Sequence, residues 1–394
     1  MRIKLNKINT SLYLFLFLFL GTGLQCKKGG GAGKGDAIYM TGADVGSLTV
    51  FYASRAANRF AFSASATNLA GQDEEVEFIP RPELVAEYNN LYRASYVALP
   101  EGKYTLSKTT GTIKKGELRS ENIALTITDP EVTEKGPVYM LPVTVQKKGS
   151  GGYPVLEGSK TLYIGIAKAT EGSVVELTGL GAHISPLQPL KAINPKLENL
   201  SQVTLEGRVK IFDMSGFLPT IFGAEEAYII RIESLNRDDY PFTVAGSPAK
   251  TPTLTKFSAS TNVWYHVAAV FDAKAGSLRL YVNGKLQAVS DVGPNATVNI
   301  SRDNWKGFHI GAYDASGDRP ILAQFSEVRI WSTARTQSEI ATTACVVDPA
   351  TPGLEAYWRL NEGEGEICHD ATGHGHTARI YGSYKWVAGV KCGD

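Results

Sequence analysis

The side chains with chemistry to offer are the acids, the histidines and a few aromatics. Cleaving a glycosidic bond takes two carboxyl groups on one side of the substrate, and on a strand two side chains share a face only at a spacing of two or four. Glu225 and Glu226 are adjacent and would point to opposite faces, while Asp238 and Asp239 read as loop residues. Glu362, Glu364 and Glu366 alternate, but Gly363 and Gly365 between them make a turn the better reading. His369, His374 and His376, beside Cys368 and Asp370, are metal-ligating types, yet they surround a Gly-rich turn where exposed histidines are expected rather than a zinc site. His266 lies inside an apolar run and reads as a core histidine. Glu74, Glu75, Glu77 and Glu83 read as solvated charges. Gripping a sugar asks instead for flat apolar faces beside planar polar groups. Two stretches offer that mix: 236–242, with Tyr240 and Phe242, and 301–305, with Asp303, Asn304 and Trp305, followed by Tyr313 and Arg319. Packing of Phe242 and Trp305 beneath loops is the competing reading.

The elements that must carry these residues are strands. From Trp264 to Phe271 the chain is aromatic, β-branched or small, as in a strand buried on both faces. Leu278, Leu280 and Val282 alternate with Ser277, Arg279 and Tyr281, giving one core face and one wetter face. Asn283-Gly284 then predicts a type I′ hairpin. Further strands are expected at 202–211, 227–233, 307–312 and 323–331. In the last, Phe325, Arg329 and Trp331 should share one face, with Ser326, Val328 and Ile330 on the other. Thr336-Gln337-Ser338-Glu339 is a capping box opening a short helix that ends before Cys345. Upstream, short apolar runs separated by turns predict strands at 47–52, 59–65, 75–79, 94–98, 112–113, 123–127, 138–145 and 160–167, with a short helix at 84–92. Pro142 cannot donate to a ladder, so its strand is expected at an edge or a bulge.

With 394 residues the chain is long enough for two domains, and a formal net charge of +1 gives no basic excess for nucleic acid. The start is a targeting segment: Arg2, Lys4 and Lys7, then a Leu/Phe run from Leu12 to Leu20, then Cys26. The apolar run is shorter than the roughly 20 residues a spanning helix needs. Residues 26–36 are a Gly-rich tether. Of the cysteines after Cys26, Cys345 and Cys392 stand at domain edges and are the expected disulfide, whereas Cys368 sits in a candidate strand as a small buried residue.

The run W-Y-H-V-A-x-x-F-D followed by L-x-L-Y-V-N-G-K, then F-x-E-V-R-I-W, a helix, L-x-A-Y-W-R-L-N-E-G-x-G and D-x-T-G-x-G, resembles LamG domains of the concanavalin A-like lectin/glucanase superfamily. The segment before Cys26 resembles a bacterial lipoprotein signal, with Cys26 as the lipidated residue. The order of motifs from Glu87-Tyr88-Asn89-Asn90 to Tyr139-Met140-Leu141-Pro142-Val143 is similar to an immunoglobulin-like domain of unknown function, found ahead of endoglycosidases and surface glycan-binding proteins of Bacteroides-type glycan-use loci. These resemblances imply an all-β chain: signal peptide 1–25, tether 26–36, an immunoglobulin-like β-sandwich at 37–175 spacing the rest from the membrane, a linker at 176–195, and a concanavalin A-like jelly-roll sandwich at 196–394. They imply a non-catalytic glycan-binding lipoprotein anchored through its lipid to the outer membrane. The cell surface is the expected side and the periplasmic face the alternative. Its partners would be carbohydrate and the importer and endoglycosidase of the same locus, with no nucleic acid. Neither the E-x-D-x-x-E run of the glucanases nor the D-x-x-D-x-D-x-E run of chitinase-like endoglycosidases is present. A glycosidase and a protein-binding adhesin are the alternatives. No cofactor is expected beyond a rim calcium, for which Asp314 and Asp318 are the candidate ligands, with Asp272 and Asp303 as further loop acids.

Overall fold

The computed structural model describes residues 35–44, 47–54, 58–92, 94–129, 131–132, 138–235, 239–246, 253–301 and 307–392. The expected lipidation site Cys26 and the glycan candidates Asp303, Asn304 and Trp305 lie outside them.

Two β-sandwiches follow one another. In the first, a six-stranded sheet runs in the order Leu48–Ala53, Thr161–Lys168, Tyr139–Lys147, Glu74–Pro80, Thr110–Ile113, with Val97–Ala98 pairing Tyr139–Lys147 in parallel. A three-stranded sheet, Arg59–Phe62, Ile123–Ile127 and Tyr104–Leu106, lies against it. Their apolar faces meet in a core that includes Phe62, Val76, Phe78, Ile123, Leu125, Val143 and Ile164. The helix Leu84–Tyr92 forms where expected. Pro142 is not at an edge: its strand is flanked on both sides. The missing amide is tolerated because Pro142 falls in a gap along one flank, where pairing with Val97–Ala98 has stopped at Met140 and pairing with Glu74–Pro80 starts only at Val143. Glu74 is buried rather than solvated, and accepts from Lys147 Nζ at 3.0 Å and from the Tyr153 amide at 3.2 Å.

The second sandwich has two large sheets. One runs Lys285–Asp291, Ser277–Val282, Trp264–Asp272, Gln202–Asp213, Leu322–Trp331, Glu171–Leu177, Tyr384–Lys391, with Leu354–Trp358 pairing the far part of Leu322–Trp331. The other runs Thr253–Leu254, Phe242–Ala245, Tyr228–Ile232, Thr220–Ala224, Phe308–Ile310, His183–Pro186, Ala378–Tyr381, Ile367–Cys368. The segment expected as a linker therefore supplies the strand His183–Pro186, and Glu171–Leu177, expected mostly as the end of the first sandwich, joins the second instead; each is paired on both sides. Val174, Val175, Leu177, Ala182 and Ile184 are buried, an apolar content that the neighbouring Gly and Pro residues mask in the sequence.

Trp264–Asp272 is buried along nearly all its length, and Asn283 and Gly284 take φ values of 50° and 71°, as the hairpin requires. A Cβ on Gly284 would stand 2.5 Å from Ala341 Cβ, so the turn can approach helix Gln337–Thr342 only as glycine. That helix carries both halves of the Thr336/Glu339 capping box. The facing of Leu322–Trp331 differs from strict alternation. Glu327 takes a φ of 59° and the register against Gln202–Asp213 shifts there, so Phe325 turns inward with Val328 and Ile330 while Arg329 and Trp331 turn outward. Cys345 and Cys392 are disulfide-bonded, tying the loop after the helix to the last strand, and Cys368 is a free, buried thiol. Among the described residues no helix is long and apolar enough to cross a membrane.

Candidate functional site

The glycan candidates separate into two places. Phe242 is fully buried, its ring 5.0 Å from Tyr265 and 6.2 Å from Phe257, so it belongs to the core. Tyr240 is half-buried beside it at a φ of 39°, and its carbonyl accepts from Ala259. Tyr313 and Arg319 do come together. The Arg319 guanidinium lies 4.2 Å from the centre of the Tyr313 ring and 5.3 Å from that of Phe217, and Phe217 is 59% exposed. Arg319 sits at a φ of 49° and its carbonyl accepts the Thr220 amide, which fixes the loop against the sheet. Glu225 Oε1 is 3.9 Å from Arg319 Nη1, and Arg231 pairs with Glu233 at 3.1 Å nearby in the same sheet. Burial raises the Glu225 carboxyl above its ordinary pKa, and Arg319 and Arg231 offset only part of that rise. The result is a rim of two aromatic faces and a guanidinium, backed by an acid whose pKa is raised. Phe217, an aromatic two residues before Pro219, carries no signal in the sequence.

The acids expected to ligate calcium are used locally. Asp314 Oδ1 accepts from the Ser316 amide at 2.8 Å and from its hydroxyl, capping a turn, and the Asp318 carboxylate accepts the Arg319 amide at 2.9 Å. Asp272 caps the turn at Lys274 and Ala275. Among the described residues no three acid, histidine or cysteine side chains gather as a metal cage. His369 is exposed, but His376 is fully buried, contrary to expectation, because its backbone is pinned beneath Trp358 and Asp370: its amide donates to Asp370 Oδ2 and its carbonyl accepts from the Trp358 indole.

The opposite sheet carries a charged cluster on its outward face, covered by the first sandwich. Glu206, fully buried, accepts on Oε1 from Arg335 Nη1 at 2.7 Å, the Trp331 indole at 2.9 Å and Arg329 Nη1 at 3.3 Å. Arg329 also donates to Glu327, which in turn accepts from the Tyr357 hydroxyl. Burial alone would raise the Glu206 carboxyl, but Arg335, Arg329 and the Trp331 hydrogen bond outweigh it and hold the pKa below the ordinary value. His266 Nε2 is 3.6 Å from Glu206 Oε2, which would favour imidazolium. Burial and the nearby Arg329, Arg208 and Arg335 prevail, and its pKa is lowered to about 3. Tyr52 of the first sandwich closes over this face, donating to the Ala341 carbonyl at 2.6 Å, and burial pushes its phenol up.

Two β-sandwiches, the second with a guanidinium-and-aromatic rim on one sheet, define a concanavalin A-like architecture preceded by an accessory sandwich. Residues 190–341 match the family model of the concanavalin A-like lectin/glucanases superfamily, and residues 34–152 match a model described as an N-terminal domain. Among curated proteins none matches this chain significantly. Of solved structures, one from Bacteroides ovatus, described provisionally as a carbohydrate binding protein, is similar at 27% identity over 89% of this chain and 97% of that one, with a TM-score of 0.49. A heptameric pentraxin from Limulus polyphemus matches at 15% identity over 53% and 94%, TM-score 0.36. EndoBT-3987 of Bacteroides thetaiotamicron matches at 13% identity over 33% and 30%, TM-score 0.27.

Proposed function

We propose that this protein binds carbohydrate without cleaving it, as a lipid-anchored component of a bacterial glycan-uptake system working beside an outer-membrane importer and an endoglycosidase. The observation that carries the reading is the rim at Arg319. A guanidinium held between an exposed Phe217 and a half-buried Tyr313 offers a planar donor fork for sugar hydroxyls and apolar faces for sugar C–H groups. The superfamily match at 190–341 supports the class, and the signal-like segment ending in Cys26 supports the anchor.

A glycan array on the full chain tests it. Phe217→Ala and Arg319→Ala should each remove most of the binding to the best ligand, and Phe217→Ala, a change at an exposed side chain, should leave the melting temperature within about 2 °C. Absence of binding to every complex glycan overturns the reading. Glu225, with its raised pKa, is the residue on which a hydrolase reading would rest, so release of sugar products abolished by Glu225→Gln would replace binding with catalysis. Capture of a protein partner that survives deglycosylation would point to an adhesin.

A further inference from the structure

The strand Leu48–Ala53 of the first sandwich and the outward face of the second enclose a cleft of about 290 Å3, lined by Thr49, Tyr52, Arg208, Trp264, His266 and Lys285 among others. That volume is at the small end for ligand sites and suits one sugar ring. His266 is 4% exposed and lines the cleft, yet neither ring nitrogen has a hydrogen-bond partner within the protein. A buried polar group left in that condition costs free energy, so a ligand that bonds to it is favoured. The imidazole is neutral, so it offers one donor and one acceptor, the combination that suits a hydroxyl. The surrounding charge is cationic. Glu206 and Glu327 pair with Arg329 and Arg335 within the buried cluster, whereas the charged side chains that line the cleft, Arg208 and Lys285, are both cations. Arg208 lies 4.5 Å above the Trp264 ring, which holds its guanidinium in a fixed plane. Lys285 also borders a second hollow of about 250 Å3 on the first sandwich, together with Arg119. The cationic lining therefore extends beyond a single ring.

We propose that this cleft binds an acidic sugar, a uronic acid residue whose carboxylate meets Arg208 and Lys285 and whose hydroxyls meet His266. The inference shares the carbohydrate class of the rim reading but uses the opposite sheet, so each can fail alone. The guanidinium and ammonium select the carboxylate by charge-assisted hydrogen bonds, and the imidazole selects a hydroxylated ring over a simple acid.

Isothermal titration of the full chain with D-glucuronate, and with D-glucose as its uncharged counterpart, tests the assignment. Glucuronate should bind at least about tenfold more tightly than glucose, and weaken as salt is added. Lys285→Met, a change at a half-buried side chain, should lower glucuronate affinity about tenfold, as should Arg208→Gln. Phe217→Ala at the rim should leave it unchanged. If Arg208→Gln fails to fold, Lys285→Met and His266→Gln decide. Equal affinity for glucose and glucuronate, or undiminished glucuronate binding in the Lys285→Met variant, overturns the proposal.

Discussion

His266 makes the stability of the second sandwich depend on pH in a direction that can be worked out. Its folded pKa is lowered to about 3 by burial and by Arg329, Arg208 and Arg335, against the pull of Glu206. The unfolded chain keeps the ordinary histidine value of about 6.5. Above that value both states hold a neutral imidazole and the residue contributes no pH dependence. Below it the unfolded chain gains a proton that the folded chain refuses, so stability falls with pH until the folded value near 3 is reached. Between about pH 7.5 and pH 5 the loss is about 2 kcal/mol, since the unfolded imidazole is then about 1.5 units below its midpoint at 1.36 kcal/mol per unit. The result barely depends on the exact folded value, because pH 5 stays well above it. For a sandwich of this size that is about 4–8 °C in melting temperature. The assay is thermal unfolding followed by tryptophan fluorescence across this range, on the wild type and on His266→Gln, which cannot titrate. The wild type should lose about 2 kcal/mol more than the variant on acidification. Parallel pH profiles for the two proteins would show that His266 is protonated when folded, and the account of the cluster would be wrong.

Other consequences follow from single contacts. Gly284→Ala forces a Cβ to 2.5 Å from Ala341 Cβ at a φ of 71°, and should destabilise by about 2 kcal/mol or more in urea titration. Replacing Cys392 by Ser opens a loop of 47 residues and should cost about 4 kcal/mol by chain entropy, read as a lower unfolding midpoint. Thr336→Ala removes the cap on helix Gln337–Thr342 and should cost about 1 kcal/mol.

How much of this was readable in the sequence follows the range of each interaction. The Asn283-Gly284 turn, the capping box and helix Leu84–Tyr92 depend on neighbours a few residues away, and all stand where the pattern put them. The cluster around Glu206 was not readable, because Arg329, Trp331 and Arg335 lie more than a hundred residues along the chain. The face that Arg329 occupies was misread for a local reason: a bulge at Glu327 has no Gly or Pro to mark it, and one inserted residue reverses every later side chain. The strand His183–Pro186 hides inside the expected linker, and Glu171–Leu177 straddles its start, because the turn residues between them outweigh two short apolar runs. At the rim, Arg319 and Tyr313 were found through residue type, while Phe217 joined them only through the fold, some hundred residues away.

The position of Arg329 decides what the covered sheet face can do. Glu206 and Glu327 both accept from one guanidinium, which stands between the two carboxylates. Acid–base chemistry on a sugar needs one carboxyl that keeps its proton near neutrality, whereas Glu206 is held below its ordinary value. Replacing Arg329 by Met reverses the electrostatics while keeping most of the volume. It leaves Glu327 without its cation and Glu206 with only Arg335, so at least one carboxyl pKa must rise. The cost is the breaking of a fully buried pair, about 3–5 kcal/mol, concentrated above the carboxylate range where both acids are charged. Acidification should then cost Arg329→Met less stability than it costs the wild type over the same range, because protonating the raised carboxyl offsets part of the His266 loss. Chemical denaturation at several pH values measures both slopes. A variant as stable as the wild type near neutrality, or one that loses stability in parallel with it on acidification, would mean that Arg329 does not neutralise this pair.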